Sequence, residues 1–452
     1  MKTIPTHTLT FIDSWLKLRA KWESYPGFVV AIAKDGKVIF NHAYGLADIE
    51  KKQVMTTHHL FRIASHSKTF TATALMQLKE AGRLNLDDPV VSHLPWLKKH
   101  KDARWQYVTL RQLMSHSAGV IRDGVDADYW QLKGDFPDAK KLREEILKAD
   151  LVFDTNTKLK YSNFGYSLLG MVVESVSKHT YDEYVREHII APLGLTHTTT
   201  EYSSLQKNAV TGYSRENIDR QRTAFPHVTT GAMAAATGFC STAEDLCAYF
   251  SAHVVGTGKL LSDESKREMQ HGWWQAKGFR SNESYGLGLD VVQHKNRSLI
   301  AHSGGFPGFI TRSYVDSADK IAVVVLTNAH GTAPNLMAKA IFDILDEFGD
   351  EPPKAALKKY EGRFVSLHGA VEVIAHAGGL RSIYPNSWYP IDTVDKLEVV
   401  GDDTLKIVDA GSFDNEGELI HYDRDSNGAV KSIRHSGSYM PVSQDGDLIK
   451  TW

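Results

Sequence analysis

Phe61-Arg-Ile-Ala-Ser-His-Ser-Lys-Thr-Phe-Thr-Ala72 sets a serine and a lysine three residues apart at the head of an apolar, helix-patterned run. Phe70, Ala74, Leu75 and Leu78 recur at helical spacing and Gly82 falls near the end, so residues 65–84 are predicted to form a helix. On a helix, Ser65 and Lys68 share one face, one turn apart. A serine hydroxyl is a poor nucleophile without a base beside it. Lysine can serve as that base when desolvation or a neighbouring cation brings its pKa down. The helix start also offers backbone N–H groups and a favourable dipole to a developing oxyanion. Ser67 stands directly before Lys68, but it is Ser65 that has the i, i+3 relation to the lysine.

Upstream, Phe28-Val-Val-Ala-Ile-Ala33, Asp35-Gly36 and Val38-Ile-Phe40 read as a β-hairpin, Asp-Gly supplying the positive φ of a tight turn. Leu9, Ile12, Trp15 and Leu16 predict a first helix. His58-His59 is expected in a loop. Downstream, residues 108–119 read as a short helix and turn, and 163–178 and 181–190 as two more helices. Strands are predicted over 298–302, 309–315 and 320–328, the last two joined by the turn 316–319, and a helix over 335–348. Helix and hairpin first, helices in the middle, strands and a helix last: that order predicts an antiparallel sheet flanked by helices, with a helical subdomain, and excludes a repeating βαβ unit.

Gly349-Asp-Glu-Pro-Pro353 stops the preceding helix and stiffens the connection to the tail. A first domain is expected over 1–348, a linker over 349–356 and a small all-β barrel or sandwich over 357–452. In the tail, Val371/Val373, Leu397/Val399 and Leu405/Ile407 show period two between recurrent Gly, Asn and Asp turns. The fold class is therefore α/β in the α+β sense, with a C-terminal all-β domain.

The chain's 452 residues suggest two or three domains, at ~150 residues each. Its formal charge of −2 gives no reason to expect nucleic acid or an anionic membrane as partner. Two cysteines, Cys240 and Cys247, exclude a disulfide framework and a four-Cys zinc site, and read as small buried hydrophobes. No His-Glu-x-x-His motif occurs, so no metal is expected. The first residues lack a secretory-type apolar core, and the longest strongly apolar run, Ile321 to Leu326, is too short to span a bilayer. A soluble, cytoplasmic protein is expected.

Two further stretches carry chemistry. In Tyr161-Ser162-Asn163 the first and third side chains of an extended segment point the same way. A phenol can relay a proton and an amide can orient a carbonyl or the lysine; alternatively the stretch is a surface turn with Asn163 as helix N-cap. In His302-Ser303-Gly304-Gly305, at the end of a strand, glycines let a substrate backbone approach the strand edge, and the Gly305 amide can donate to an oxyanion. His302 can bond to Tyr161 or to substrate. The alternative is a plain glycine turn.

Ser-x-x-Lys, then Tyr-x-Asn, then a basic residue and glycine on a strand resembles, in that order, the penicillin-binding proteins and serine β-lactamases. The chain looks like the branch that holds class C β-lactamases, D-Ala-D-Ala carboxypeptidases, D-aminopeptidases and β-lactamase-like esterases. Leu84-Asn-Leu-Asp-Asp-Pro-Val90, the stretch 108–119, Gly238-Phe-Cys-Ser-Thr-Ala-Glu-Asp-Leu246 and His302-Ser-Gly-Gly-Phe-Pro-Gly-Phe309 resemble connectors of that family. The likeness covers about residues 10–345, and the tail resembles a lipocalin-like domain.

What the resemblance implies is a serine hydrolase working through an acyl-enzyme. Ser65 would attack the carbonyl, Lys68 and Tyr161 would share the acid and base work, and the Ser65 and Gly305 amides would form the oxyanion hole. Asn163, His302 and Gly304 would hold the substrate, and no cofactor is implied. Where many β-lactamases carry Lys-Thr-Gly, this chain has His302-Ser303-Gly304, whose imidazole offers less fixed charge to a substrate carboxylate. That favours a peptidase acting on D-residue peptides, or a small-acyl esterase, over a β-lactamase. A non-catalytic penicillin- or peptide-binding sensor is the rival of another class. An α/β-hydrolase is excluded because no Gly-x-Ser-x-Gly occurs. Expected partners are a small-molecule or peptide substrate and, in self-association, further copies of the chain.

Overall fold

The computed structural model describes residues 3–203, 206–277, 281–411 and 414–443. They fall into two compact units, Tyr25–Asn335 and a second that gathers Met1–Ser24 with Leu336–Trp452.

The first unit is built on a nine-stranded antiparallel sheet. The hairpin Gly27–Lys34 and Lys37–Asp48 turns at Asp35 and Gly36, whose φ of 52° and 75° match the Asp-Gly reading. Across the sheet the order is Gln53–Val54, Lys37–Asp48, Gly27–Lys34, Ile321–Thr327, Phe309–Asp316, Arg297–Phe306, Asp290–His294, Glu283–Tyr285 and Trp274–Gln275. All seven residues of Ile321–Thr327 are buried, because a central strand covered on both faces is apolar throughout and does not alternate.

Helix Ser67–Glu80 runs through the core, and eleven of its residues are buried, threonines included. The apolar stripe read from the sequence marks just one of its faces. Its other faces carry hydroxyls that find partners: Thr69 donates to the His66 carbonyl (2.7 Å), Thr71 to that of Ala235 (2.6 Å), and Thr73 meets the Tyr249 hydroxyl (3.0 Å). The expected span of 65–84 is shorter in the structure: a 3-10 turn, Ala64–His66, precedes the α-helix, which ends at Glu80 ahead of Gly82. The helical part adds Leu110–Met114, Ala139–Lys148, Asn163–Ser177 and Tyr181–Val185, the last continuing as a π turn over Arg186–Ile190. Cys240 and Cys247 are free and buried.

The second unit contains an eight-stranded antiparallel meander from Gly362–Ser366 to Ser438–Pro441, in sequence order. Phe364 bridges to Val442 and the Ser443 N–H donates to the Arg363 carbonyl (2.8 Å), which brings the two ends together in a nearly closed barrel. Tyr360, Phe364, Leu405, Ile407, Ile420 and Ile433 fill its inside. Val399 pairs with Leu405 as Leu397 pairs with Ile407, yet it is 45% exposed.

Helices Thr6–Trp22 and Pro334–Phe348 contact this barrel and each other. The Phe11 and Phe348 rings stack at 4.9 Å, Arg19 donates to the Asn386 carbonyl (2.7 Å) and lies 3.7 Å over the Trp388 ring, and Arg381 pairs with Glu347 (2.9 Å). The sequence reading assigns both helices to residues 1–348. An apolar stripe shows that a helix is covered, not by what. Among the described residues no helix is long and apolar enough to cross a membrane.

Candidate active site

Ser65 occupies the middle of the 3-10 turn that feeds the buried helix. Ala64 sits at a φ of 48°, a left-handed conformation that a β-carbon resists. The surroundings hold it there. The Ile63 N–H donates to the Phe239 carbonyl (3.0 Å), and Ser67 Oγ donates to the Ala64 carbonyl (2.6 Å) and accepts from the Phe239 N–H (3.1 Å). Ser67 is thus consumed in closing the turn, and Ser65 is the serine presented to the cavity. His66 pins the same turn to the sheet through Ser313 Oγ (2.9 Å); burial, with His302 nearby, keeps its pKa well below the usual histidine range.

Lys68 Nζ lies 3.1 Å from Ser65 Oγ, 2.7 Å from Asn163 Oδ1 and 2.8 Å from the Ala236 carbonyl. The side chain is fully buried, and this desolvation pushes its pKa well below the lysine value; Asp123 pulls the other way and Arg122 adds to the lowering. A neutral amine has two N–H donors and one lone pair. The two carbonyl-type oxygens accept only, so the lone pair is left facing the hydroxyl of Ser65. That is the arrangement a general base requires.

Asn163 is held from behind, its Nδ2 donating to Asp123 Oδ1 (2.6 Å), which fixes Oδ1 toward the lysine. It is the first residue of its helix, not the cap. Ser162 caps, accepting from the Gly165 N–H (2.9 Å). Tyr161 places its ring 4.8 Å from Lys68 Nζ, beside the His116 ring at 4.2 Å and under the Arg122 guanidinium at 5.4 Å.

The third stretch lies within strand Arg297–Phe306, which extends past the expected end at residue 302. Asp290–His294 pairs with it up to Ala301, whereas Phe309–Asp316 pairs on the other side as far as Phe306. Among the described residues, no strand pairs with the remaining edge at 302–306, the edge to which an extended substrate can add. His302 is buried. Its Nδ1 meets the Ser303 carbonyl (2.8 Å) and its Nε2 the Tyr285 hydroxyl (3.1 Å). The carbonyl can only accept, so Nδ1 carries a proton, and Nε2 lies within hydrogen-bond reach of the Tyr285 hydroxyl.

The two glycines differ. A β-carbon at Gly304 would lie 2.2 Å from the Ile63 carbonyl oxygen and 2.3 Å from Thr311 Oγ1, so Gly304 lets the strand press against the turn that carries Ser65. Gly305 is exposed, and a β-carbon there would meet only Ile310 Cδ1, at 3.9 Å. Gly304→Ala is therefore expected to destabilise by ~1–3 kcal/mol and to lower turnover further by displacing the serine turn; denaturant melts and steady-state rates on one preparation check both.

Ser65, Tyr161, His302 and Gly305 line one cavity of about 260 Å3, together with Arg122, Tyr285 and others. Lys68 and Asn163 stand behind it and Gly304 beneath, so all seven expected residues converge. Nothing in the sequence pattern points to Tyr285 or to the Ala236 carbonyl. His116 belongs to the connector-like stretch 108–119 but carries no motif of its own, and Asp123 lies just beyond that stretch.

The Beta-lactamase family model matches residues 16–346. Protein flp of Staphylococcus aureus (strain MW2) is 33% identical over 191 residues, 42% of this chain but 38% of that protein's length. The D-stereospecific amidohydrolase from Streptomyces sp. superposes with a TM-score of 0.63 at 26% identity, covering 72% of this chain and 95% of that one. The octameric penicillin-binding protein homologue from Pyrococcus abyssi gives a TM-score of 0.67 at 23% identity over 96% of this chain and all of the other, a likeness of fold. The Ser65–Lys68 pair, beside the strand that carries the third motif, is thus set in a recognised frame, and with most of its length matched the chain belongs to the beta-lactamase family of serine hydrolases.

Proposed function

We propose that the protein hydrolyses amide bonds of short peptides or peptide-like compounds containing D-residues, through an acyl-enzyme on Ser65. The observation that carries this reading is the contact of Lys68 Nζ with Ser65 Oγ at 3.1 Å, made by an amine whose pKa burial lowers well below the usual lysine value. Lys68 takes the hydroxyl proton as Ser65 attacks, and the Ser65 and Gly305 amides polarise the carbonyl. Tyr161, on the cavity side of Lys68, delivers the proton to the leaving nitrogen. Water then attacks the ester of Ser65, and the same groups run in reverse. Asn163 orients Lys68, and the strand edge at 302–306 receives the substrate main chain.

Two features support a peptide over a β-lactam. His302 is engaged with Ser303 and Tyr285 and presents no ammonium to a substrate carboxylate. The Streptomyces relative acts, by its name, as a D-stereospecific amidohydrolase.

A panel of D- and L-alanine p-nitroanilides, p-nitrophenyl acetate and nitrocefin tests the reading. The D-anilide is expected to exceed the L-anilide in kcat/KM by ~10-fold or more. Equal rates for the two enantiomers overturn the stereochemical assignment. Nitrocefin turned over far faster than the rest makes the protein a β-lactamase. Stoichiometric fluorophosphonate labelling of Ser65 without turnover of any compound makes it a binder.

A further inference from the structure

Gly305 borders two cavities. One holds Ser65 and Tyr161. The other, about 430 Å3, is lined by Trp130, Leu132, Phe225, Phe306, Pro307 and His330. We propose that this second cavity is an acyl-side subsite for an aromatic or comparably bulky apolar group, so that the enzyme selects substrates by what lies on the carbonyl side of the scissile bond. The proposal rests on the acyl-enzyme reading above and adds the substrate class to it.

The direction comes from the chemistry. The leaving group has to reach Tyr161, so it occupies the cavity that Tyr161 lines. The carbonyl oxygen is taken by the amides of Ser65 and Gly305. The remaining substituent of the carbonyl carbon is the acyl group, and it points past Gly305, away from Tyr161. What it meets there is apolar and already shaped. The Phe306 ring is fixed by the Arg62 guanidinium at 4.3 Å, by the Phe136 ring stacked at 5.9 Å and by Trp130 edge-on at 5.8 Å. Trp130 in turn packs against Phe136 at 5.1 Å. Phe225 reaches the cavity from the two-residue strand Ala224–Phe225, half-buried. His330, held below the usual histidine range by burial, adds a neutral edge.

A cavity of this size is in the range that small-molecule sites use, and an acetyl group would leave nearly all of it empty. Gly305 is the lining residue the two spaces share, and a β-carbon there would meet only Ile310 Cδ1, at 3.9 Å.

The test compares p-nitrophenyl acetate with p-nitrophenyl 4-phenylbutyrate, which share a leaving group, in the wild type and in the Trp130→Ala and Phe225→Ala variants of the full chain. The kcat/KM ratio of phenylbutyrate to acetate is expected to be ~10 or more in the wild type and to fall by ~5-fold or more in each variant. Both esters are read on one preparation, so any loss of folded enzyme cancels from the ratio. A wild-type ratio near one, or a ratio that survives either substitution, overturns the subsite while acetate turnover upholds the hydrolase reading. A preference for benzyl acetate over ethyl acetate with no preference among the acyl groups places the ring on the leaving side and also overturns it. No turnover of any ester, with Ser65 unlabelled by a fluorophosphonate, overturns the hydrolase reading and the subsite with it.

Discussion

Ser65→Ala lowers turnover of every substrate by ~10^4-fold or more and leaves the thermal midpoint within a few degrees of the wild type. The hydroxyl is the nucleophile of the proposed mechanism, and no neighbouring group replaces it. Ser67 is spent on the Ala64 carbonyl and the Phe239 amide. The stability cost is small because Ser65 is half-buried and Lys68 keeps two acceptors, Asn163 and Ala236, after the hydroxyl is gone. Ser67→Ala should behave oppositely: it leaves a buried amide and a strained turn unsupported, at ~1–3 kcal/mol, and its damage should appear first in the melt. Full turnover by Ser65→Ala in a steady-state assay would move the nucleophile elsewhere.

The second large effect concerns Lys68. The base has to be neutral, so kcat/KM of the wild type should rise with pH along one limb and level off well below 10.5, the ordinary lysine value from which burial lowers this group. Stability carries the same sign. The folded chain releases a proton that the unfolded chain still binds, so stability rises with pH between the lowered value and 10.5. Lys68→Arg keeps the charge at every accessible pH, and should cost ~10^3-fold or more in kcat/KM and abolish the limb. A pH–rate profile of both proteins decides. A limb in the ordinary lysine range, or a limb retained by the arginine variant, assigns the base to another group, with Tyr161 next in line.

Much of the sheet is legible in the sequence because its strands announce themselves locally. Asp35-Gly36 fixes one hairpin, and the Val/Ile/Leu run at 321–326 fixes the middle of the sheet. The site is legible for a different reason: Ser65 and Lys68 are neighbours in the chain, and Tyr161 and Asn163 share one extended segment. What cannot be read is what arrives from far away. Tyr285 is hydrogen-bonded to His302 from a strand that is not its neighbour in the sheet, and the Ala236 carbonyl is 168 residues from the lysine it meets. A backbone oxygen has no side-chain signature at all. The threonines of Ser67–Glu80 mislead for a related reason: a hydroxyl with a carbonyl in reach is buried as readily as a methyl group, and polarity alone marks it as surface. The helices Thr6–Trp22 and Pro334–Phe348 show their apolar stripes, but nothing in those stripes says that Arg19 of the first meets Asn386 and Trp388, or that Glu347 of the second meets Arg381.

The seam between Phe364 and Val442 has a wider meaning for encounters between molecules. A meander left open would carry two rows of unsatisfied amides, and another chain could zip onto either. Here the first and last ribbons meet through one bridge and one further hydrogen bond, so among the described residues these two edges face each other instead of a neighbouring chain. Any adhesion through this seam must then be selective, because side chains discriminate among partners where bare peptide groups do not.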